Sequence, residues 1–358
     1  MKKVVDMNIL GKDTIPSPAE FGEIVRQTEA SNQTVDAARS KIENILAGRD
    51  KSFLVIVGPC SIHDHDAALG YADRLGKLAK ELGDSVFVVM RTYFEKPRSE
   101  AGWKGLMSDP LLNGSDDIVL GIKLCREIAC AITDGGMPIA VEALDTLFMP
   151  FLSDLVSYAA IGARTVTSQT HRGMASGLSM PVGFKNATSG GEKSAVQAIR
   201  FARGRHKFPG INRNGQLAHI ETRGNLSGHL ILRGGDEGPN YGPEGIARAS
   251  ALLDAHGLQD VRLLVDCSHG NSQKDHKKQG AVLREVVRQR AAGNRRIVGA
   301  MLESHIKEGK QVVPDDLSTL EGGRSALDPF VSITDSCIGW EETAELLRYV
   351  AQQKLNSR

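Results

Sequence analysis

Cysteine, imidazole and carboxylate side chains hold borderline divalent metals, while arginine and lysine hold phosphate and carboxylate groups. In this sequence both kinds of residue follow short apolar runs. Run 53–57 leads to Cys60, 86–90 to Arg91, 138–141 to Glu142, and 160–163 to Arg164. Run 181–184 leads to Lys185, 229–232 to Arg233, 261–265 to Asp266 and His269, and 297–301 to Glu303. One arginine after an apolar run is ordinarily a solvated residue. A series in which every run delivers a charged or ligating side chain points to one shared site.

The series sorts into two groups. Arg91, Lys96, Arg98, Arg164, Lys185 and Arg233 are cations. Arginine matches planar oxyanions through paired hydrogen bonds, and lysine adds a point charge. So many cations in one place repel each other unless anions fill it. The implied substrates carry several negative charges, most simply two phosphates and a carboxylate. A surface partner for each cation explains any one of them, but not all six. The second group is Cys60, His269, Glu303 and a late acid, for which Asp335 is the candidate. Sulfur, nitrogen and oxygen donors together suit Mn, Fe, Co or Zn. Taken alone, Cys60 is a small buried apolar residue and His269 a general base or a core histidine.

What could bring such distant residues together is a closed parallel sheet. Amphipathic stretches at 67–82, 117–133, 148–158, 192–203, 244–256 and 279–292 separate most of the apolar runs, and residues 340–352 close the series. Strands alternating with helices predict βαβ units. Eight runs predict an α/β protein of the (β/α)8 TIM-barrel class, whose C-terminal mouth collects the strand ends. The barrel is expected over 51–358, and residues 1–50 read as a helical N-terminal extension. A short helix fits within 16–27. A second fits 33–47, with Val35, Ala38, Ile42, Ile45 and Leu46 as its stripe and Gly48 as its cap. Such an extension serves contacts between subunits or packs on its own barrel. Residues 208–222 alternate around Asn212-Arg-Asn-Gly215, which predicts an inserted β-hairpin before the sixth strand. Residues 311–329 read as a long loop.

Composition narrows the classes. Lys and Arg total 44 against 43 Asp and Glu, which leaves no electrostatic footprint for nucleic acid or an anionic membrane. No apolar run is long enough for a bilayer, and the N-terminus lacks a signal-peptide core. Five scattered cysteines fit a reducing cytoplasm rather than a disulfide framework. Ser189-Gly-Gly-Glu-Lys-Ser194 lacks the glycine spacing of a phosphate loop. His63-Asp-His-Asp66 resembles a metal cluster, but Asp66 could equally cap a helix.

Several motifs carry a resemblance. They are Val57-Gly-Pro-Cys-Ser-Ile-His-Asp64, Met90-Arg-Thr-Tyr-Phe-Glu-Lys-Pro-Arg98, Gly102-Trp-Lys-Gly105, Gly162-Ala-Arg-Thr165 and Pro181-Val-Gly-Phe-Lys-Asn186. They continue with Leu232-Arg-Gly-Gly235, Asp266-Cys-Ser-His269, Glu303-Ser-His305 and Ser332-Ile-Thr-Asp-Ser-Cys-Ile-Gly-Trp340. In this order, from about residue 30 onward, the chain resembles the type I 3-deoxy-D-arabino-heptulosonate 7-phosphate (DAHP) synthases. That resemblance implies a condensation of phosphoenolpyruvate with erythrose 4-phosphate, the first step of the shikimate pathway. It implies metal ligation by Cys60, His269, Glu303 and Asp335. It implies phosphoenolpyruvate binding by Arg91, Lys96, Arg164, Lys185 and Arg233, with Ala163 and Lys104 in the same motifs. Lys96, Pro97, Arg98 and Ser99 are implied to bind erythrose 4-phosphate. Glu142 is expected to orient the attacking water, and Lys96 or a metal-bound water to protonate the new alkoxide.

Two stretches depart from the family pattern. Val166-Thr-Ser168 stands where Thr-Glu-Ser is usual, and Ala187-Thr-Ser-Gly190 where Gly-Thr-Asp-Gly is usual. Both remove an acid near the cations, which leaves room for a specialised paralogue using another phosphorylated aldose such as arabinose 5-phosphate. A catalytically silent effector-binding homologue is the alternative from a different class. Family members bind an aromatic amino acid near the hairpin. Ser179, Phe208 and Gly210 are the matching positions here, and Gly210 argues against phenylalanine and for tyrosine or tryptophan, or for no effector.

Overall fold

In the computed structural model, which describes residues 4–100, 102–320 and 323–353, eight strands close into one parallel barrel. Around the ring run β1 (Phe53–Gly58), β10 (Ile297–Glu303), β9 (Leu263–Asp266), β8 (His229–Leu232), β5 (Val182–Lys185), β4 (Tyr158–Ile161), β3 (Ile139–Glu142) and β2 (Val86–Arg91). Their residues are apolar on both faces, because one face lines the barrel interior and the other lies under helices. β1 shows the pattern: all six of its residues are buried.

The register decides which residues meet at the mouth. Gly58 is level with Glu303, Met301 with Asp266, Arg91 with Ala140, and Glu142 with Ala160. Cys60, two residues beyond Gly58, therefore reaches the end of β10. Gly58 itself has φ +156°, and a Cβ there would lie 2.6 Å from the Arg91 carbonyl oxygen. Glycine is what lets the Gly-Pro-Cys turn pass that close to β2.

The outer helices are α3 (His65–Leu82), α4 (Ile118–Asp134), α6 (Gln169–Gly177), α7 (Lys193–Ala202), α8 (Pro243–Ala255), α9 (Gln279–Ala291) and α10 (Trp340–Gln352), with α5 (Met149–Leu152) reduced to one turn. Side-chain oxygens cap three of them: Asp64 for α3, Asp117 for α4 and Ser168 for α6. Asp66, expected as a cap, lies inside the first turn of α3 instead.

Two expectations are corrected here. The fourth strand is Tyr158–Ile161 rather than 160–163, so Arg164 stands three residues past its end, in a turn. The helix expected over 148–158 shrinks to α5, since 153–157 must turn to enter that strand. In its place α6 covers the sheet after β4. Its sequence, Gln-Thr-His-Arg-Gly-Met-Ala-Ser-Gly, is too polar and glycine-rich to show a stripe.

Before the barrel come α1 (Pro18–Ile24) and α2 (Glu29–Leu46). Ser17 and Glu20 form a reciprocal cap on α1. The stripe of α2 turns onto its own barrel. Ile42, Ile45 and Leu46 join Leu54, Ile56, Val89, Tyr158, Ile231 and Leu264 of the barrel interior in one core. Arg39 adds a hydrogen bond to the Val156 carbonyl at 3.0 Å. The hairpin pairs β6 (His206–Ile211) with β7 (Leu217–Thr222), and Ser176 meets Thr222 at 2.7 Å to fix it on α6.

Candidate active site

At the mouth, β1 and β10 bring Cys60 beside Glu303, and the loop before α10 brings Asp335. The ligating atoms of Cys60, Glu303 and Asp335 all lie within 4.8 Å of one another. Cys60 is fully buried, and its sulfur accepts from the Lys96 ammonium at 3.0 Å and the Asp335 amide at 3.4 Å. Burial pushes the thiol up, as does Glu303 nearby, against the pull of Lys96. Asp335 stays exposed toward the opening, 4.0 Å from Lys96. Burial raises its carboxyl, but Lys96 and His269 win and hold it at about 2. A thiol and two carboxylates within ligand distance of each other fit a borderline divalent cation.

His269 approaches this cluster from the end of β9. Its Nε2 lies 3.7 Å from Glu303 Oε1, so it neighbours the cluster without lying inside the 4.8 Å set. Its Nδ1 is 3.0 Å from Asp266 and 2.7 Å from the Ser268 hydroxyl. The Asp266 carboxylate holds the Nδ1 side of the ring, which turns Nε2 toward Glu303. The residue has φ +58°, a left-handed conformation that a histidine holds only against cost.

The cations occupy the rest of the mouth. Arg91 is 2% exposed, donates to Glu303 Oε1 at 2.8 Å, and bonds the carbonyls of Pro59 and Cys60. Its guanidinium lies 3.5 Å from the centre of the Tyr93 ring. Burial alone would weaken its hold on a proton, but Tyr93 and Glu303 more than restore it. Lys185 and Asp266 form a buried pair at 2.8 Å. Burial raises Asp266, yet Lys185 and His269 hold it well below the usual carboxylate range. For Lys96, burial works against the charge, but Cys60 and Asp335 overcome it and raise the ammonium.

Arg91, Lys96, Lys185, His269, Glu303 and Asp335 line a cavity of about 780 Å³ that also takes in Pro97, Arg98, Ser99, Glu142, Ala163, Arg164 and Arg233. Arg98 is anchored on the Trp103 carbonyl at 2.7 Å, and Arg164 reaches the Ser99 hydroxyl at 3.2 Å. Glu142 Oε1 occupies the space beside Gly162 that a Cβ would need, 2.1 Å from where that Cβ would sit. Lys104 does not line the cavity; its ammonium pairs with Asp116 at 3.1 Å on the surface. None of the departing residues lines the cavity: Val166 is buried, Thr167 and Ser189 are exposed and Ala187 is half-buried, while Thr188, which keeps the family's residue, does line it.

Sequence reasoning did not single out Lys274 and Lys310, which line the same cavity without an acidic partner at ion-pair distance among the described residues. Lys274 sits at φ +61° directly after Gln273 at +56°. Its cue was its place five residues after His269 in a loop without apolar period. Away from the mouth, Ser179 is exposed beyond α6, and Phe208 and Gly210 are half-buried on the hairpin. A Cβ on Gly173 would touch the Phe208 ring at 3.4 Å. No helix among the described residues is long and apolar enough to cross a membrane.

Residues 27–348 match the model of the DAHP synthetase I family. The chain is 47% identical over 345 residues to the Tyr-sensitive phospho-2-dehydro-3-deoxyheptonate aldolase of Salmonella typhimurium, covering 96% of this chain and 94% of that one. It is 41% identical over 360 residues to the phenylalanine-inhibited phospho-2-dehydro-3-deoxyheptonate aldolase of Saccharomyces cerevisiae, covering 100% of this chain and 96% of the relative. The structure of phospho-2-dehydro-3-deoxyheptonate aldolase from Francisella tularensis superposes with a TM-score of 0.93 at 38% identity, covering 98% of this chain and all of that one.

Proposed function

The chain belongs to the DAHP synthetase I family and condenses phosphoenolpyruvate with erythrose 4-phosphate to DAHP and phosphate, and we propose how its mouth cavity divides that work. The observation that carries the assignment is the cluster of Cys60, Glu303 and Asp335, whose two carboxylates open into the cavity that Arg91, Lys96, Lys185 and Arg233 line.

Arg91 and Lys96 take the phosphoenolpyruvate carboxylate, and Arg164, Lys185 and Arg233 its phosphate, with Ala163 alongside. Pro97, Arg98 and Ser99 hold the far phosphate of the aldose. Cys60, Glu303, Asp335 and His269 through Nε2 are the ligands of a divalent ion, Mn, Fe, Co or Zn. That ion, when bound, supplies Lewis acidity to the aldehyde carbonyl. Carbon 3 of phosphoenolpyruvate then adds to the carbonyl carbon, and Lys96, which holds its proton firmly, gives it to the new alkoxide. Water adds to carbon 2 and yields its proton to Glu142. The carbon–oxygen bond to phosphate then breaks with both electrons leaving on phosphate, as the new carbon 2 hydroxyl becomes the product carbonyl and gives its proton to the departing phosphate.

Phosphate release tests the assignment: the purified chain receives phosphoenolpyruvate with a panel of aldose phosphates, with and without Mn. Release with erythrose 4-phosphate and metal is expected. Preference for arabinose 5-phosphate, or no release with any aldose, contradicts it. The free cysteines favour a reducing compartment, the cytoplasm.

The relatives' names also favour feedback control. An aromatic amino acid, tyrosine or tryptophan, would bind where the hairpin meets α6, near Ser179, Phe208 and Gly210. A homodimer or homotetramer would cover Val5, Met7 and Leu10, which are exposed on the extension. Inhibition assays with the three aromatic amino acids and sedimentation of the full chain test these two points.

A further inference from the structure

Behind Glu142 the molecule holds a second carboxyl group that the mechanism above leaves unused. Glu95, next to Lys96 in sequence, is 7% exposed. Its two oxygens lie 3.2 and 3.5 Å from the Asp145 amide, and no cation stands within ion-pair distance of it among the described residues. A cavity of about 10 Å³ is lined by Glu95 and Glu142, and otherwise by Phe94, Met107, Val141 and further apolar side chains. A single water requires roughly 10–15 Å³ and polar partners. Here two carboxyl groups supply them inside an apolar wall. Glu142 lines both this small cavity and the large one, so it stands between the buried acid and the substrates.

We propose that Glu95 is a positioning residue for Glu142, to which it donates a hydrogen bond through one water in the small cavity. This rests on the assignment of Glu142 to the attacking water. A buried carboxyl without a cation keeps its proton. Burial, then the charges of Asp145 and Glu142, raise Glu95 well above the usual range, against the Asp145 amide. The titratable groups facing it are Glu142 and Asp145 from the β3 side and the Cys125 thiol from α4. The neutral acid is a donor, and the Glu142 carboxylate is the acceptor nearest the water. That bond fixes which way Glu142 presents its oxygens to the large cavity. On the other side Gly162, having no Cβ, leaves the space that Oε1 fills.

Three variants of the metal-loaded full chain test this: E95L, E95Q and E142Q. E95L, without a donor, is expected to lose about tenfold or more in kcat, with KM for phosphoenolpyruvate within threefold and an unchanged Tm. E95Q keeps a donor but cannot ionise. It should recover to within about threefold of the parent kcat, and it should keep activity at alkaline pH where the parent loses it by ionising Glu95. A parent-like kcat in E95L, or a pH profile of E95Q that superimposes on the parent's, overturns the proposal. If E142Q is inactive while E95L is parent-like, the inference about Glu95 alone fails. If E142Q is fully active, the role of Glu142 fails and this inference with it.

Discussion

Arg91 does more than face a substrate. It ties Glu303 to the carbonyls of Pro59 and Cys60, so it holds two expected ligands in place before any ligand arrives. Removing one partner of a buried pair costs roughly 3–5 kcal/mol. Arg91→Leu should therefore lower stability by about that much and weaken metal binding, read by chemical denaturation and by metal analysis after dialysis. A variant with parent stability would show that the pair contributes nothing. Asp266 acts on the same cluster at one remove, by fixing the His269 ring and neutralising Lys185. Asp266→Asn should cost about 10–100-fold in metal affinity, the usual effect of an outer partner of a ligating histidine. Equal affinity would mean that His269 is not a ligand. At this scale residue type was the legible signal, since Cys60, Arg91, Lys185, Arg233 and Glu303 all stand out by chemistry at run ends. The partners were not legible. Nothing in the sequence says that Arg91 spends its fork on Glu303, or that Lys104 turns to Asp116, because both depend on side-chain directions that only packing sets.

The strand ends aim the site, and two glycines show how tightly. At Gly162, just past β4, a Cβ would meet Glu142 Oε1 at 2.1 Å. The obstructing atom is the tip of a flexible side chain, so Gly162→Ala should fold but swing Glu142 aside. A displacement near 1 Å at a reacting group costs about 10²-fold. We expect kcat to fall by up to that factor with Tm little changed; unchanged kcat would remove Glu142 from the mechanism. Gly58→Ala differs, because backbone, not a side-chain tip, obstructs it and φ is +156°. It should destabilise the fold itself by roughly 1–3 kcal/mol. Element existence was legible wherever apolar runs were long. It failed around β4, where a four-residue strand, a one-turn helix and a polar helix follow one another. Short elements leave too few periods to read, and α6 owes its helix to the Ser168 cap and to the sheet beneath it.

For the whole molecule, the barrel interior carries a pH signature. His229 is buried and bonded to the Tyr158 hydroxyl at 2.8 Å. Burial lowers it to about 4, only partly offset by the Ser227 carbonyl. In the folded state the ring stays neutral down to that pH, whereas the unfolded chain takes up a proton near 6.5. Folded stability from this group is thus complete above about 6.5 and is lost as pH falls toward 4. The loss is on the order of 3 kcal/mol. His229→Gln should flatten that part of the stability-against-pH curve, and an unchanged slope would place the acid sensitivity elsewhere. The barrel itself was readable because strand and helix alternate eight times. The seat of the extension was not, since the stripe of Val35, Ala38, Ile42 and Ile45 suits a partner's surface as well as the barrel floor.

The central claim is that Cys60, Glu303, Asp335 and His269 hold one metal that the condensation requires. Titrating Mn into chelator-stripped protein, with phosphoenolpyruvate and erythrose 4-phosphate present, tests it most directly. No phosphate release is expected at the start, followed by a rise that saturates near one equivalent per chain. Full turnover in excess chelator would contradict it.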